Sequence, residues 1–176
     1  MFSPTLIIIF IIVCIVVFFG LVVFVGAPYV PSQKKYIKRG FEYIGLTSSD
    51  VVADIGSGDG IVLRIASSYG AKAVGYEINP ILVAISKLLS MRDKNITVLL
   101  QNAWLAKLPD DVTLVYAFAV NRDERKLTTL MQREANRLDR PLKLMCLASP
   151  FKHKQAVDSF EAYHLYIFQP LQLKKA

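Results

Sequence analysis

Val51-Val52-Ala53-Asp54-Ile55-Gly56-Ser57-Gly58-Asp59-Gly60 reads as a β-branched strand that ends on an acid and runs into a loop with glycine at every second position. A strand buried on both faces of a parallel sheet takes Val and Ile, and Val51, Val52 and Ile55 supply them. The glycines free the turn. Gly56 allows a tight bend, Gly58 lets the main chain approach a ligand, and Gly60 opens a helix over 61–69 whose unpaired N–H groups carry partial positive charge. A second strand over 73–77 also ends on an acid, Glu77, 17 residues past Gly60. In an open α/β sheet two such neighbouring strand ends bound the crevice where a nucleotide sits, and an acid on the second can hold both ribose hydroxyls.

The glycine spacing narrows the choice of nucleotide. The dinucleotide fingerprint is G-x-G-x-x-G, whereas this loop reads G-x-G-x-G. Asp54 and Asp59 would set two carboxylates beside a pyrophosphate, where like charges repel, and would attract a ligand carrying an ammonium and a sulfonium. S-adenosylmethionine is that ligand and the expected cofactor. At these residues the chain resembles the class I, seven-stranded S-adenosylmethionine-dependent methyltransferases. The run from Asp54 to Gly60 is similar to their first motif and Gly75-Tyr76-Glu77-Ile78-Asn79-Pro80 to their second. The wording is closer still to the membrane-anchored protein-lysine methyltransferases of the ATP-synthase c-subunit and adenine-nucleotide-translocase type and their prokaryotic relatives. The resemblance implies an α/β fold, a Rossmann-like doubly wound, mostly parallel sheet with a C-terminal antiparallel strand. It also implies a donor site in which Asp54, Gly56, Ser57, Gly58, Asp59 and Gly60 hold the methionine part, Glu77 the ribose, and Ile78, Asn102 and Ala103 the adenine. A glycine turn with no ligand is the plain reading of the loop alone; the strand, loop, helix and second acid together favour a bound nucleoside.

The 176 residues are 53% hydrophobic with a mean hydropathy of +0.39, too apolar for an ordinary small soluble domain. The excess sits in residues 6–26, almost wholly Ile, Val, Leu and Phe and without a charge. About 21 helical residues rise roughly 31 Å, enough to cross a hydrocarbon core. A cleaved signal peptide would have a basic start and a shorter apolar core, and residues 1–5 hold no Lys or Arg. The expectation is therefore one N-terminal transmembrane helix over 1–26, with membrane lipid as its partner. Lys34, Lys35, Lys38 and Arg39 follow it, which would put the N-terminus outside and the rest in the cytoplasm, or the matrix of a mitochondrion. The same cations are compatible with anionic headgroups and with a plain solvated face. Residues 27–50 then form a linker and an amphipathic helix, and 51–176 the donor-binding domain.

In the linker, Ala27-Pro28-Tyr29-Val30-Pro31-Ser32 is held extended by its prolines, and Ser32 is expected to cap a helix running to residue 44 on an apolar face of Ile37, Phe41 and Ile44. The related methyltransferases carry a similar stretch, which makes Tyr29 a candidate for the active-site mouth; a plain linker fits as well. After Glu77, Asn79-Pro80 starts a helix to about residue 92, with Ile81, Ala84, Ile85, Leu88 and Leu89 as its expected buried face. A third strand, 96–101, ends at Asn102-Ala103-Trp104. Class I enzymes usually place an acid there, and Asn102 is a departure that leaves a weaker, neutral acceptor for the adenine amino group. Trp104 fits an adenine wall and an ordinary core place equally.

A fourth strand, 112–120, should end beside the transferred methyl. Phe118 is a candidate for an amine channel through cation–π contact; Asn121 fits the channel or a helix cap. The Asn/Asp-Pro-Pro-aromatic motif of enzymes that methylate base amino groups is missing, which argues against a nucleobase substrate. The helix over 122–138 buries Leu127, Leu130, Met131 and Leu138. Its Arg122, Arg125, Lys126, Arg133 and Arg137, mixed with Asp123, Glu124 and Glu134, read as a solvated outer face. A fifth strand, 142–147, and a last one, 163–169, close the pattern.

Other chemistries find little support. Cys14 and Cys146 cannot pair, His153 and His164 lack ligand spacing, so no metal is expected, and there is no Walker or G-x-S-x-G loop. The net charge of +7 lies largely beside the apolar span and at Lys152, Lys154, Lys174 and Lys175, so nucleic acid is not needed as a partner. The expected function is methylation of a lysine amine on a membrane-associated protein. The alternative is a non-catalytic, membrane-tethered nucleoside-binding protein of the same fold, which Asn102 favours; an NAD-dependent reductase is disfavoured by the loop spacing. The oligomeric state is left open.

Overall fold

The computed structural model describes residues 3–25, 33–119, 123–148 and 150–171; the side chains of 15, 17–25, 119 and 148 fall outside that description. Tyr29, Ser32 and Asn121, singled out in the sequence, lie outside the described residues. The chain divides into two compact units, Met1–Val30 and Pro31–Ala176.

In the larger unit the β-branched run forms β1 (Val51–Ile55), all five residues buried. The glycine loop leads into α3 (Ile61–Ser68), which follows α1 (Pro4–Val25) and α2 (Lys34–Tyr43) in chain order. Then come β2 (Lys72–Glu77), α4 (Pro80–Ser90), β3 (Ile96–Leu100) and a single 3-10 turn, Ala103–Leu105. The chain continues through β4 (Leu114–Ala119), α5 (Glu124–Leu138), β5 (Leu142–Ala148), β6 (Asp158–Phe160) and β7 (Tyr163–Phe168). The strands form one seven-stranded sheet in the order β3-β2-β1-β4-β5-β7-β6. The five from β3 to β5 pair in parallel, and β7 enters antiparallel to β5. The order reverses between β1 and β4, and ligands of open α/β sheets bind at the carboxyl ends of strands at such a point.

Alternation along β1 sends Val52 to one face and Ala53 to the other, and each face carries its own core. One core is covered by α2, α3 and α4 through Ile37, Phe41, Leu63, Ala66 and Val83. The other is covered by α5 through Leu127, Leu130 and Met131, and by Ala106 and Leu108 of the stretch between β3 and β4. Each such large apolar side chain contributes about 1.5–3 kcal/mol when fully buried. Gly40 lets α2 seat closely, because a Cβ there would lie 2.9 Å from the Tyr163 ring and closer still to the Met145 methyl. Phe41 beside it meets Tyr116 edge-on at 6.0 Å between ring centroids.

Three expectations are corrected. The side chains described along α1 are those of residues 4–14 and 16. Among the described residues no helix is long and apolar enough to cross a membrane. That finding overturns the single-pass anchor over 1–26 and the outside N-terminus that went with it, and the lipid partner is not shown. On α4 the buried residues are Val83, Ser86 and Ser90, while Ile81, Ile85, Leu88 and Leu89 are exposed, the reverse of the expected face. The cause is close approach to the glycine loop. The Ser86 hydroxyl nearly fills the place where a Gly60 Cβ would stand, which leaves room for a serine and none for an aliphatic chain. On α5, Glu124 and Glu134 are buried, so the mixed-charge side is not simply a solvated face.

Candidate functional site

The loop after β1 folds as its glycines dictate. Gly56, Gly58 and Gly60 take φ of 81°, 55° and 79°, a left-handed region that favours glycine. The amides of Gly56 and Ser57 both donate to the Tyr76 carbonyl, at 2.9 and 3.0 Å, which ties the loop to the end of β2. Asp59 caps α3 by accepting from the Ile61 amide at 3.1 Å, and it pairs with Arg64 at 3.4 Å. Arg64 was not anticipated. It offsets one of the two charges on which the sequence argument against a pyrophosphate relied, and leaves that argument to Asp54 and Glu77.

Asp54, the last residue but one of β1, lies inside the protein, 3% exposed. Burial first, then the negative charges of Glu77 and Asp59, push its carboxyl up to about 8. Among the described residues only negative charges act on this buried acid, so a cation arriving beside it would be favoured. The buried Ser57 hydroxyl also has no hydrogen-bond partner among the described residues.

Glu77, at the end of β2, is buried and already busy. Its Oε1 accepts from the amides of Ile78 and Asn79, both at 2.8 Å, and its Oε2 accepts from the Gly58 amide at 2.9 Å. A carboxylate offers about four lone-pair positions, so one remains, on Oε2. One ribose hydroxyl can be accepted as the site stands. A second needs the Gly58 amide to let go. The same acid therefore shapes the loop and stands at the carboxyl edge of the sheet. Next to it, Asn79 caps α4 by accepting from Ile81 at 2.9 Å, with Pro80 at the first helical position.

The end of β3 joins this edge through the Gln101 amide, which donates to the Glu77 carbonyl at 2.9 Å. Asn102 follows, and its Oδ1 accepts from the Trp104 amide at 3.0 Å, capping the 3-10 turn. One lone pair of that oxygen is left for a purine amino group. Ala103 is buried, and Trp104 packs partly buried against the α5-side core. The structure thus brings Asp54, residues 56–60, Glu77, Ile78, Asn102 and Ala103 to the carboxyl edge of three adjacent strands, β1, β2 and β3. Phe118, half-buried on β4 and paired in register with Leu147, sits near the end of a fourth.

Two further features went unseen in the sequence. Glu124, buried at the start of α5, accepts from the amides of Lys152 and His153 at 2.9 and 2.8 Å, which fixes the chain after β5. Burial pulls its carboxyl upward, but the two donors outweigh it and hold it below the usual range. Glu134, 1% exposed, accepts from Arg133 at 2.9 Å, Arg137 at 2.8 Å and the Leu108 amide at 3.1 Å. Burial again opposes ionisation, and the hydrogen bonds from Arg137, Arg133 and Leu108 again win. A cavity of about 320 Å³ lined by Tyr43, Asp50, Thr113 and Lys143 lies at the amino ends of β1, β4 and β5, the opposite edge from these residues.

No family model matches the chain. It is 39% identical over 66 residues to the ATP synthase c-subunit lysine N-methyltransferase of Xenopus laevis, 38% of this chain and 29% of that protein. It is 43% identical over 54 residues to a protein-lysine N-methyltransferase of Saccharolobus islandicus, 30% of this chain and 34% of that protein. The chain thus matches about a third of the length of these curated relatives. Among solved structures it is similar to an RNA methyltransferase from Salinibacter ruber in complex with S-adenosyl-L-homocysteine, with a TM-score of 0.67 at 23% identity over 84% of this chain and 98% of that one. A dimethyladenosine transferase from Plasmodium falciparum matches with a TM-score of 0.55 at 16% identity, over 68% of this chain and 43% of that one. At such identities the likeness is one of fold.

Proposed function

We propose that this chain, which has the class I seven-stranded fold of S-adenosylmethionine-dependent methyltransferases, transfers a methyl group from that donor to a lysine amine of a protein. The observation that carries the reading is Asp54, a buried carboxyl with Glu77 and Asp59 as neighbours and a carboxyl pushed up to about 8. A buried acid that can give up its proton to an arriving cation favours a ligand with an ammonium and a sulfonium over a pyrophosphate. The open space beside Gly56 and the spare lone pair of Glu77 fit the rest of a nucleoside. Lysine as the acceptor rests on what the matched relatives are named for, which concerns about a third of their length.

When bound, the donor supplies a methyl already activated on a positively charged sulfur; the amine nitrogen gains the N–C bond as the S–C bond breaks and its electrons stay on sulfur. The protein's own part is mainly alignment, an entropic contribution. Asp54 would balance the donor's positive charge, Glu77 would fix the ribose, and Asn102 with Ala103 would border the purine. Phe118, near the end of β4, would face the entering amine.

The test is incubation of the protein with methyl-labelled donor and a cell extract, with Glu77→Gln in parallel. Gln keeps an acceptor for the amides of Ile78 and Asn79 but removes the charge and turns an N–H2 group toward the Gly58 amide and the ribose, so the sheet is expected to persist, as a melt checks, while labelling falls at least tenfold. Label recovered on lysine in a protein band supports the reading. Donor bound but no label anywhere would replace it with a non-catalytic binding protein, and label in lipid or RNA would replace the acceptor.

A further inference from the structure

The connection from β3 to β4 runs over residues 101–113 and contains only the one 3-10 turn, although crossovers between parallel strands usually carry a helix. The stretch is nevertheless held at every second carbonyl. Arg133 donates to the carbonyls of Trp104, at 3.0 Å, and Ala106. Arg137 donates to that of Leu108 at 2.7 Å, and Arg140 to those of Asp110 and Val112 at 3.1 and 2.5 Å. That alternation is the one an extended strand shows, and the arginines follow one another at spacings of four and three. Tyr76, from β2, donates its hydroxyl to the Lys107 carbonyl at 3.2 Å. Glu134 anchors the row by holding Arg133 and Arg137 at once. Side chains of α5 and of Arg140 just after it thus do for this stretch what a neighbouring strand does in a sheet.

The row has two unlike ends. Arg140 grips residues that enter β4. Arg133 grips the turn that begins at Asn102, whose preceding residue is hydrogen-bonded to Glu77. We propose that Arg133 is a positioning residue for the donor's purine: by fixing the carbonyls of Trp104 and Ala106 it preforms the Asn102–Ala103–Trp104 border of the crevice, while Arg140 serves the fold alone. A guanidinium suits the task, since its planar fork reaches two carbonyls where an ammonium is a point charge. This rests on the methyltransferase reading of the crevice.

The test uses S-adenosylhomocysteine as probe and Trp104, the chain's single tryptophan, as reporter. Arg133→Met is expected to weaken probe binding about tenfold and to lower the fluorescence anisotropy of Trp104. Arg133→Lys should restore part of both, and Arg140→Met should lower the melting temperature while leaving the affinity within about twofold. If Arg133→Met loses its fold, Arg133→Gln takes its place in the same comparison. Wild-type binding that Arg133→Met leaves intact, or that Arg133→Met and Arg140→Met weaken alike, overturns the positioning role and spares the donor reading. No binding by the wild type overturns the donor reading and this inference with it.

Discussion

At the scale of single residues the site turns on a proton. In the folded protein Asp54 keeps its proton up to about pH 8, whereas in the unfolded chain it loses it near 4. Between those values the folded state binds the extra proton, so its stability falls as pH rises through that window and levels above it. Binding a cation reverses the preference and expels the proton. Donor affinity should therefore tighten from pH 6 to pH 8, by up to about tenfold per unit, and then level. Asp54→Asn should bind more weakly, lose that slope, and melt higher than the wild type at pH 8. Calorimetry in buffers of different ionisation enthalpy counts the proton directly. A wild-type affinity independent of pH would show that Asp54 is not the group that meets the donor's charge.

At the scale of elements, α4 and α5 separate what a pattern can say from what it cannot. The spacing of α4 offers two faces, one of Ile81, Ile85, Leu88 and Leu89 and one of Val83, Ser86 and Ser90, and hydrophobicity alone chooses the first. The structure takes the second, because Gly60 presses against Ser86 and admits only a small side chain. Leu88, 67% exposed, should then tolerate replacement by Gln with a change within about 0.5 kcal/mol in urea unfolding. A loss of about 2–5 kcal/mol, the usual cost of emptying a core position, would mean that the face is covered after all. The burial of Glu134 was illegible for a different reason. Its neighbours at one and three residues are arginines, which is also how a solvated helix face reads, while its distant partner is the Leu108 amide, 26 residues earlier, and the two arginines are themselves held by the carbonyls of Trp104 and Leu108. By contrast β1, its glycine loop and the acid on β2 were legible because each is local. Strand burial, positive φ and a terminal acid are all written within a few consecutive residues.

At the scale of the whole molecule, the loop proposed to meet the ligand also joins β1 to α3 and is hydrogen-bonded to β2 through Tyr76 and Glu77. A ligand there is coupled to the centre of the sheet. Binding confined to the folded state stabilises it by about 2.7 kcal/mol at a hundred times the dissociation constant. For a domain of this size each kcal/mol moves the melting temperature by about 2–4 °C, so S-adenosylhomocysteine at that excess should raise it by about 5–11 °C. The positively charged donor and its neutral product should differ in a definite direction. At pH 6, where Asp54 is protonated, the shifts should be closest, and at pH 8.5 the donor should protect more than the product, because only the donor's sulfur gains from an ionised carboxylate. Thermal melts with either ligand across that range decide the matter. Equal protection by both at every pH would show that the crevice reads the nucleoside and the amino acid but not the charge on sulfur, and the electrostatic basis of the donor assignment would fall.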